Sequence, residues 1–225
     1  MTSNEQAVPR VVGPGRRALD SASALPIQRR AILDEVFVPA VERALRSPHV
    51  IAIVADAGFG KSVLLGQLYD EFSARQEIAP VLVSSGALNG PFSDIAALDN
   101  ALGEAVGVTP SSVTYLLRLQ RAEGWQPILL LDTIDLLLDE RFVPLLARLL
   151  QRVVDDGVPA VVTCRQFEFD MYLEPIAERA PLLADLFTPE PLFGLKRDEV
   201  RAFVIAYLVE RRNLIDLRYS ALKAS

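Results

Sequence analysis

Five consecutive aliphatic residues, Val50-Ile51-Ala52-Ile53-Val54, run into Ala55-Asp56-Ala57-Gly58-Phe59-Gly60-Lys61-Ser62, and a helical pattern over 62–74 follows at once. A strand with one solvated face would alternate, so a fully apolar run this short belongs in a sheet covered on both sides. In the turn after it, small residues let successive backbone N–H groups point inward around an anion. The helix behind the turn adds the positive end of its dipole. Gly58 and Gly60 permit close approach of the backbone, Lys61 brings a mobile positive charge, and Ser62 brings a hydroxyl able to join the shell of a metal ion. The spacing is that of a phosphate-binding P-loop, or Walker A motif, with one departure: its first glycine is Ala55. Residues Ala55, Asp56, Ala57, Gly58, Phe59, Gly60, Lys61, Ser62 and Val63 are the expected binding segment.

Three further aliphatic runs repeat the strand pattern. They are Pro80-Val81-Leu82-Val83-Ser84, Ile128-Leu129-Leu130-Leu131 and Ala160-Val161-Val162-Thr163, and a fifth strand is expected around 186–193, where Pro189 and Pro191 limit its ladder. Helical patterns lie between them: 30–46, which Pro39 should bend, two helices within 92–122, and 142–154, striped by Phe142, Leu145, Leu146, Leu149, Leu150, Val153 and Val154. Alternation of this kind predicts an α/β chain, a three-layer P-loop NTPase fold with a mostly parallel five-stranded sheet flanked by helices. Residues 1–24, rich in Gly, Pro, Ser and Arg, read as a disordered leader. Residues 25–194 form the expected core, and an amphipathic helix over 197–212 within 195–225 would start a helical lid.

Two of these strands end in groups that carry chemistry. The run Ile128–Leu131 delivers Asp132 to the carboxyl end of a buried strand, where ligands of open α/β sheets gather, and with Ser62 it would hold Mg²⁺. Asp135 offers a second carboxylate, either orienting an attacking water or capping the segment after it. Thr163-Cys164-Arg165 closes the next strand. Arg165 would contact a γ-phosphate or else pair with Glu168 or Asp170. Lys61, Asp132, Asp135 and Arg165 are therefore the expected catalytic residues.

Composition narrows the chemistry further. A single cysteine, Cys164, and a single histidine, His49, exclude a disulfide framework and a Cys/His zinc site. Cys164 reads as an inert buried thiol, and His49 as a surface residue before the first strand, away from the loop. Neither a signal core nor a membrane span is evident, which points to a soluble cytoplasmic chain in a reducing compartment. The net charge of −6 argues against a dedicated nucleic-acid binder, although residues 1–30 and 193–225 each carry +3 against −12 between them.

With these motifs in order, the chain resembles the STAND class of P-loop ATPases, the NACHT-like branch allied to AAA+ proteins. The resemblance rests on Ala55–Ser62, on Leu129-Leu130-Leu131-Asp132-Thr133-Ile134-Asp135 as Walker B, on Val161–Arg165, and on Pro191-Leu192-Phe193-Gly194-Leu195 before a helix near Asp198-Glu199. It implies ATP and Mg²⁺ as cofactors and a sensor strand lying between the P-loop and Walker B strands. Pro26–Arg30 would cover the adenine, with Arg29 and Arg30 among the contacts. It also implies a switch between ATP and ADP states in signalling or regulated assembly, with a protein partner or self-association through the lid. The family's Asp-Glu pair is replaced by Asp135-Leu136, which leaves the catalytic base open. A trans-acting arginine finger would be Arg121, Arg141, Arg148, Arg152 or Arg179. A non-hydrolysing nucleotide-held scaffold and a small-molecule kinase remain alternatives, and the chain is either the core of a longer protein or a reduced stand-alone member.

Overall fold

Alternate residues of each aliphatic run face opposite ways, and this decides the architecture. The computed structural model describes residues 31–88, 90–173, 187–193 and 198–201. Strands β1 (Val50–Val54), β2 (Ile78–Ser84), β3 (Gln126–Asp132), β4 (Ala160–Cys164) and β5 (Phe187–Pro191) form one sheet in the order β2-β3-β4-β1-β5. Every pairing is parallel. Val50, Ala52 and Val54 of β1, with Leu129 and Leu131 of β3, pack into a core beneath helices α3 (Ile95–Ala105), α4 (Val113–Ala122) and α5 (Phe142–Asp155). Ile51, Ile53, Ile128 and Leu130 face a second core against α1 (Val38–Arg46) and α2 (Lys61–Ser73). The result is the three-layer α/β P-loop NTPase fold that the alternation predicts, with β4 between β1 and β3 as expected of a sensor strand.

Strand ends differ slightly from expectation, for a reason that lies in the order of the strands. β2 starts at Ile78 and β3 at Gln126, two residues before the aliphatic runs. Pro80 is tolerated because β2 is an edge strand, and Pro127 because the ladder to β4 begins only at Leu129. The two prolines of β5 also sit on an edge. β5 pairs with β1 from Phe187 to Pro191, and beyond it the Leu192 N–H donates to the Val54 carbonyl at 2.9 Å.

The helix changes character beside Pro39. A π-helical turn, Leu33–Phe37, precedes it, closed by the Val38 N–H donating to the Leu33 carbonyl. Helix continues without a break through Pro39 to Arg46, and the wider turn just before it is the local irregularity that accommodates a residue with no N–H to give. The leader 1–24, Pro26–Arg30 with Arg29 and Arg30, Arg179, and most of the expected helix 197–212 lie outside the described residues. Of that helix, 198–201 is helical, and Glu199 Oε1 accepts from the Ala31 N–H at 3.1 Å. Among the described residues, no helix is long and apolar enough to cross a membrane.

One polar clamp fixes the helical layer over the first core. Asp99, buried on α3, accepts from the Ser112 hydroxyl at 2.6 Å, the Thr114 N–H at 2.9 Å and the Thr114 hydroxyl at 2.7 Å. The approach is close enough that a Cβ on Gly103 would lie 2.2 Å from the Ser112 nitrogen. Backbone cannot yield as a side chain can. Gly103→Ala is therefore expected to lower stability by about 2–3 kcal/mol, read as a lower urea midpoint with an unchanged slope.

Candidate functional site

The carboxyl ends of β1, β3 and β4 lie side by side, and the polar residues of three separate stretches meet there. Val54 is level with Cys164, and Leu131 with Val162, so Asp132 emerges beside Thr163 and both face the loop after β1. In that loop Gly58 and Gly60 have φ of +84° and +81°, in the left-handed region that favours glycine. Ala55 is different: it is buried, its N–H donates to the Cys164 carbonyl at 3.4 Å, and its φ is not positive. The backbone at this position asks nothing that a Cβ forbids, which accounts for the departure from the glycine pattern. Asp56, Ala57, Gly58, Phe59 and Val63 are exposed around the mouth.

Lys61 opens α2, and its ammonium donates to the carbonyls of Ala55 at 2.7 Å and Asp56 at 2.9 Å. Partial burial lowers its pKa, and attraction to Asp135 opposes this. Ser62 donates its hydroxyl to Asp132 Oδ1 at 3.0 Å, and the same oxygen accepts from the Thr163 hydroxyl at 2.7 Å. Among the described residues none donates to Oδ2. An alcohol and a carboxylate side by side are hard oxygen donors that fit Mg²⁺, which binds through one or two protein ligands and keeps its waters. Among the described residues no group of three or more His, Cys, Asp or Glu could hold a metal by itself.

Asp135 and Arg165 meet each other, which neither expected alternative for Arg165 anticipated. Arg165 Nε lies 3.0 Å from Asp135 Oδ2 rather than on Glu168 or Asp170. The Asp135 side chain is 1% exposed, and its Oδ1, like Glu168 Oε2, is buried with no hydrogen-bond partner among the described residues. The capping alternative for Asp135 does not hold either. It lies inside the 3-10 turn Ile134–Leu136, and it is Asp139 whose carboxylate accepts from the N–H groups of Arg141 at 2.8 Å and Phe142 at 2.6 Å, at the start of α5. Cys164 is fully buried, and burial pushes its thiol up to about 12, so it stays protonated. His49 is half-buried at the opposite end of β1, held to the Ser47 carbonyl.

Three residues of the cluster escaped the sequence reading. Thr133 takes φ +58° and ψ +45°, a left-handed conformation that a β-branched residue adopts only when its surroundings hold it there. Its N–H donates to the Thr163 hydroxyl at 2.6 Å, and its carbonyl accepts from the Ser85 hydroxyl. The available signal was a lone Thr near the end of the aliphatic run 160–163, but a β-branched residue in a strand reads as an ordinary β-former.

No protein-family model matches the chain, and no curated protein matches its sequence. Among solved structures it is similar to Cdc6p from Pyrobaculum aerophilum, with a TM-score of 0.55, 13% identity, and 84% of this chain and 52% of that one covered. It is also similar to the Aeropyrum pernix Orc1 protein in complex with DNA (TM-score 0.51, 21% identity, 92% and 52% covered). A third is Drosophila ORC bound to poly(dA/dT) DNA and Cdc6 (TM-score 0.51, 11% identity, 92% and 38% covered). At these identities the likeness is one of fold alone. The chain spans about half the length of the first and second of these. Two of the three structures hold DNA, which overturns the expectation set against nucleic acid. Net charge is a sum over the whole chain, whereas contact with a phosphate backbone needs only a local basic surface.

The buried carboxyl of Asp135 carries a consequence for stability. Burial raises its pKa above the ordinary 3.8, while Arg165 and then Lys61 act to lower it. The folded chain thus holds this proton more tightly than the unfolded chain. The stability it contributes is present below the ordinary value and is lost as pH rises through the raised one. Asp135→Asn removes the titration, so in urea unfolding the variant should gain on wild type as pH rises above the ordinary carboxylate range. A wild-type advantage that grows with pH would mean that Arg165 outweighs burial.

Proposed function

We propose that the chain is an ATP-binding switch ATPase of the STAND type within the AAA+ fold, slow in turnover. The observation that carries this reading is the meeting of Lys61 and Ser62 with Asp132, Asp135 and Arg165 at one sheet edge. The backbone N–H groups of the loop and the start of α2 cradle the phosphates. Lys61 exchanges two backbone carbonyls for the β- and γ-phosphate oxygens, a stronger charge-assisted contact. Ser62 gives its proton to Asp132, which leaves the lone pairs of its Oγ for the cation. Mg²⁺, when bound, neutralises developing phosphate charge.

Asp135 Oδ1 has no hydrogen-bond partner among the described residues but is buried, so it would take a proton from a water near the γ-phosphate only after nucleotide opens this edge. Oδ2, held by Arg165, fixes the carboxylate's orientation. Arg165, with Nε 3.0 Å from this carboxylate and a half-exposed side chain, stands at the same edge and distinguishes ATP from ADP. The carboxylate is buried and already paired with Arg165, which supports slow hydrolysis and leaves a nucleotide-held scaffold as the second reading. Since the Aeropyrum Orc1 structure of this fold is a DNA complex, DNA joins protein partners among the molecules to be tested against the switch.

Calorimetric titration with Mg·ATP and Mg·ADP, followed by phosphate release over hours, tests the proposal. Lys61→Ala should cost about 2–3 kcal/mol of triphosphate binding, roughly a 30- to 150-fold weaker Kd. Unchanged affinity would overturn the site. Arg165→Ala should lose discrimination between ATP and ADP more than affinity, and equal losses for the two nucleotides would remove its sensing role. Binding with no phosphate release would select the scaffold.

A further inference from the structure

Among the described residues, the fully buried hydroxyl of Thr163 is the one side-chain group hydrogen-bonded both to the Asp132 carboxylate and to the backbone leading to Asp135. It donates its proton to Asp132 Oδ1 at 2.7 Å and accepts the Thr133 N–H at 2.6 Å. A hydroxyl has one proton to give, and the N–H occupies a lone pair, so the direction of both bonds is settled. Oδ1 then receives two hydroxyl protons, from Thr163 and Ser62, and the carboxylate cannot rotate without losing both. The carboxylate is thereby fixed beside Ser62, the other residue that the nucleotide reading places on the cation.

We infer that Thr163 is a positioning residue for the cation: it orients Asp132 for Mg²⁺ and, through Thr133, sets the turn that carries Asp135. This rests on the nucleotide reading above and adds to it a residue that neither motif contains. Valine has the shape of threonine without its hydroxyl. In Thr163→Val the Asp132 carboxylate keeps one donor instead of two, and the Thr133 N–H loses its acceptor in a conformation that a threonine does not hold unaided. Outer partners of this kind govern metal affinity rather than the gross binding of the ligand. Magnesium requirement and magnesium-free nucleotide binding should therefore separate.

The test is a Mg²⁺ titration of a fluorescent ATP analogue bound to the full chain, for wild type, Thr163→Val, Thr163→Ser and Lys61→Ala, with thermal melts of each. Thr163→Val should need about 10- to 100-fold more Mg²⁺ to reach half of the metal-dependent gain in affinity, with magnesium-free affinity unchanged. Thr163→Ser, which keeps the hydroxyl, should restore the wild-type midpoint. A Val variant with the wild-type midpoint, or a Ser variant as impaired as Val, overturns the assignment, because the methyl group's packing would then be what matters. Should Thr163→Val fail to fold, the comparison moves to Thr133→Gly with and without it. Glycine takes the left-handed conformation freely, so the fold no longer leans on Thr163 while Asp132 still does. Equal Mg²⁺ midpoints in that pair overturn the proposal. A wild type that binds the analogue no better than Lys61→Ala overturns the nucleotide reading beneath it, a result distinct from a normal metal response in Thr163→Val.

Discussion

A single carboxylate oxygen, Asp132 Oδ1, accepts hydroxyl protons from Ser62 and Thr163, which lie on the helix after β1 and on β4. Those two elements and β3 are far apart in sequence, and only the strand order β2-β3-β4-β1-β5 makes the three neighbours. The sheet supplies the placement through aliphatic packing on both faces, and the hydrogen bonds supply the orientation. Neither suffices alone. Packing is tolerant of rotation about the last residue of a strand, whereas a carboxylate fixed by two donors is not. Two further bonds hold Thr133 in its left-handed conformation, its N–H donating to the Thr163 hydroxyl and its carbonyl accepting from Ser85, so the turn after β3 is as much a product of β4 as of its own residues.

The charges at this edge are arranged by competition. Among the described charged groups there, Lys61 and Arg165 face Asp132, Asp135 and Glu168, and two of the acidic oxygens, Asp135 Oδ1 and Glu168 Oε2, are buried without partners. Uncompensated buried oxygens are costly unless another group arrives to use them. Asp135 illustrates the balance: burial raises its pKa even with a guanidinium 3.0 Å away. Lys61, resting on the carbonyls of Ala55 and Asp56, occupies weaker partners than a phosphate would offer. The edge is thus held together by contacts that an incoming anion and cation can replace with better ones.

How much of this was legible follows from what each signal measures. The aliphatic runs and the Gly-Lys-Ser turn are local, so β1, α2, the approximate spans of β2 to β4, and the meeting of Lys61, Ser62 and Asp132 at one edge could be read directly. The pairing of Arg165 with Asp135 is between strands and follows from sheet order, which the resemblance implied but spacing does not reveal. Thr163 was hidden by its own suitability for a strand, because β-branching satisfies the pattern whether or not the hydroxyl has work. Strand starts were read from the runs that begin at Pro80 and Ile128, so the two residues before each were missed, and the edge position of β2 and the late start of the ladder to β4 show why Pro80 and Pro127 are harmless.

Acidic composition was the least informative signal, and the reason is general. A net charge of −6 constrains long-range steering and solubility, but a polyanion meets one face of a molecule. The ends of this chain are positive and its middle negative, so the sum describes no surface that a partner would encounter. Strand order, by contrast, constrains everything at the sheet edge, because it determines which polar residue follows which strand and what stands next to it. For a fold whose chemistry lies at strand ends, three hydroxyls placed on neighbouring strands and turns say more about the site than the charge of the whole.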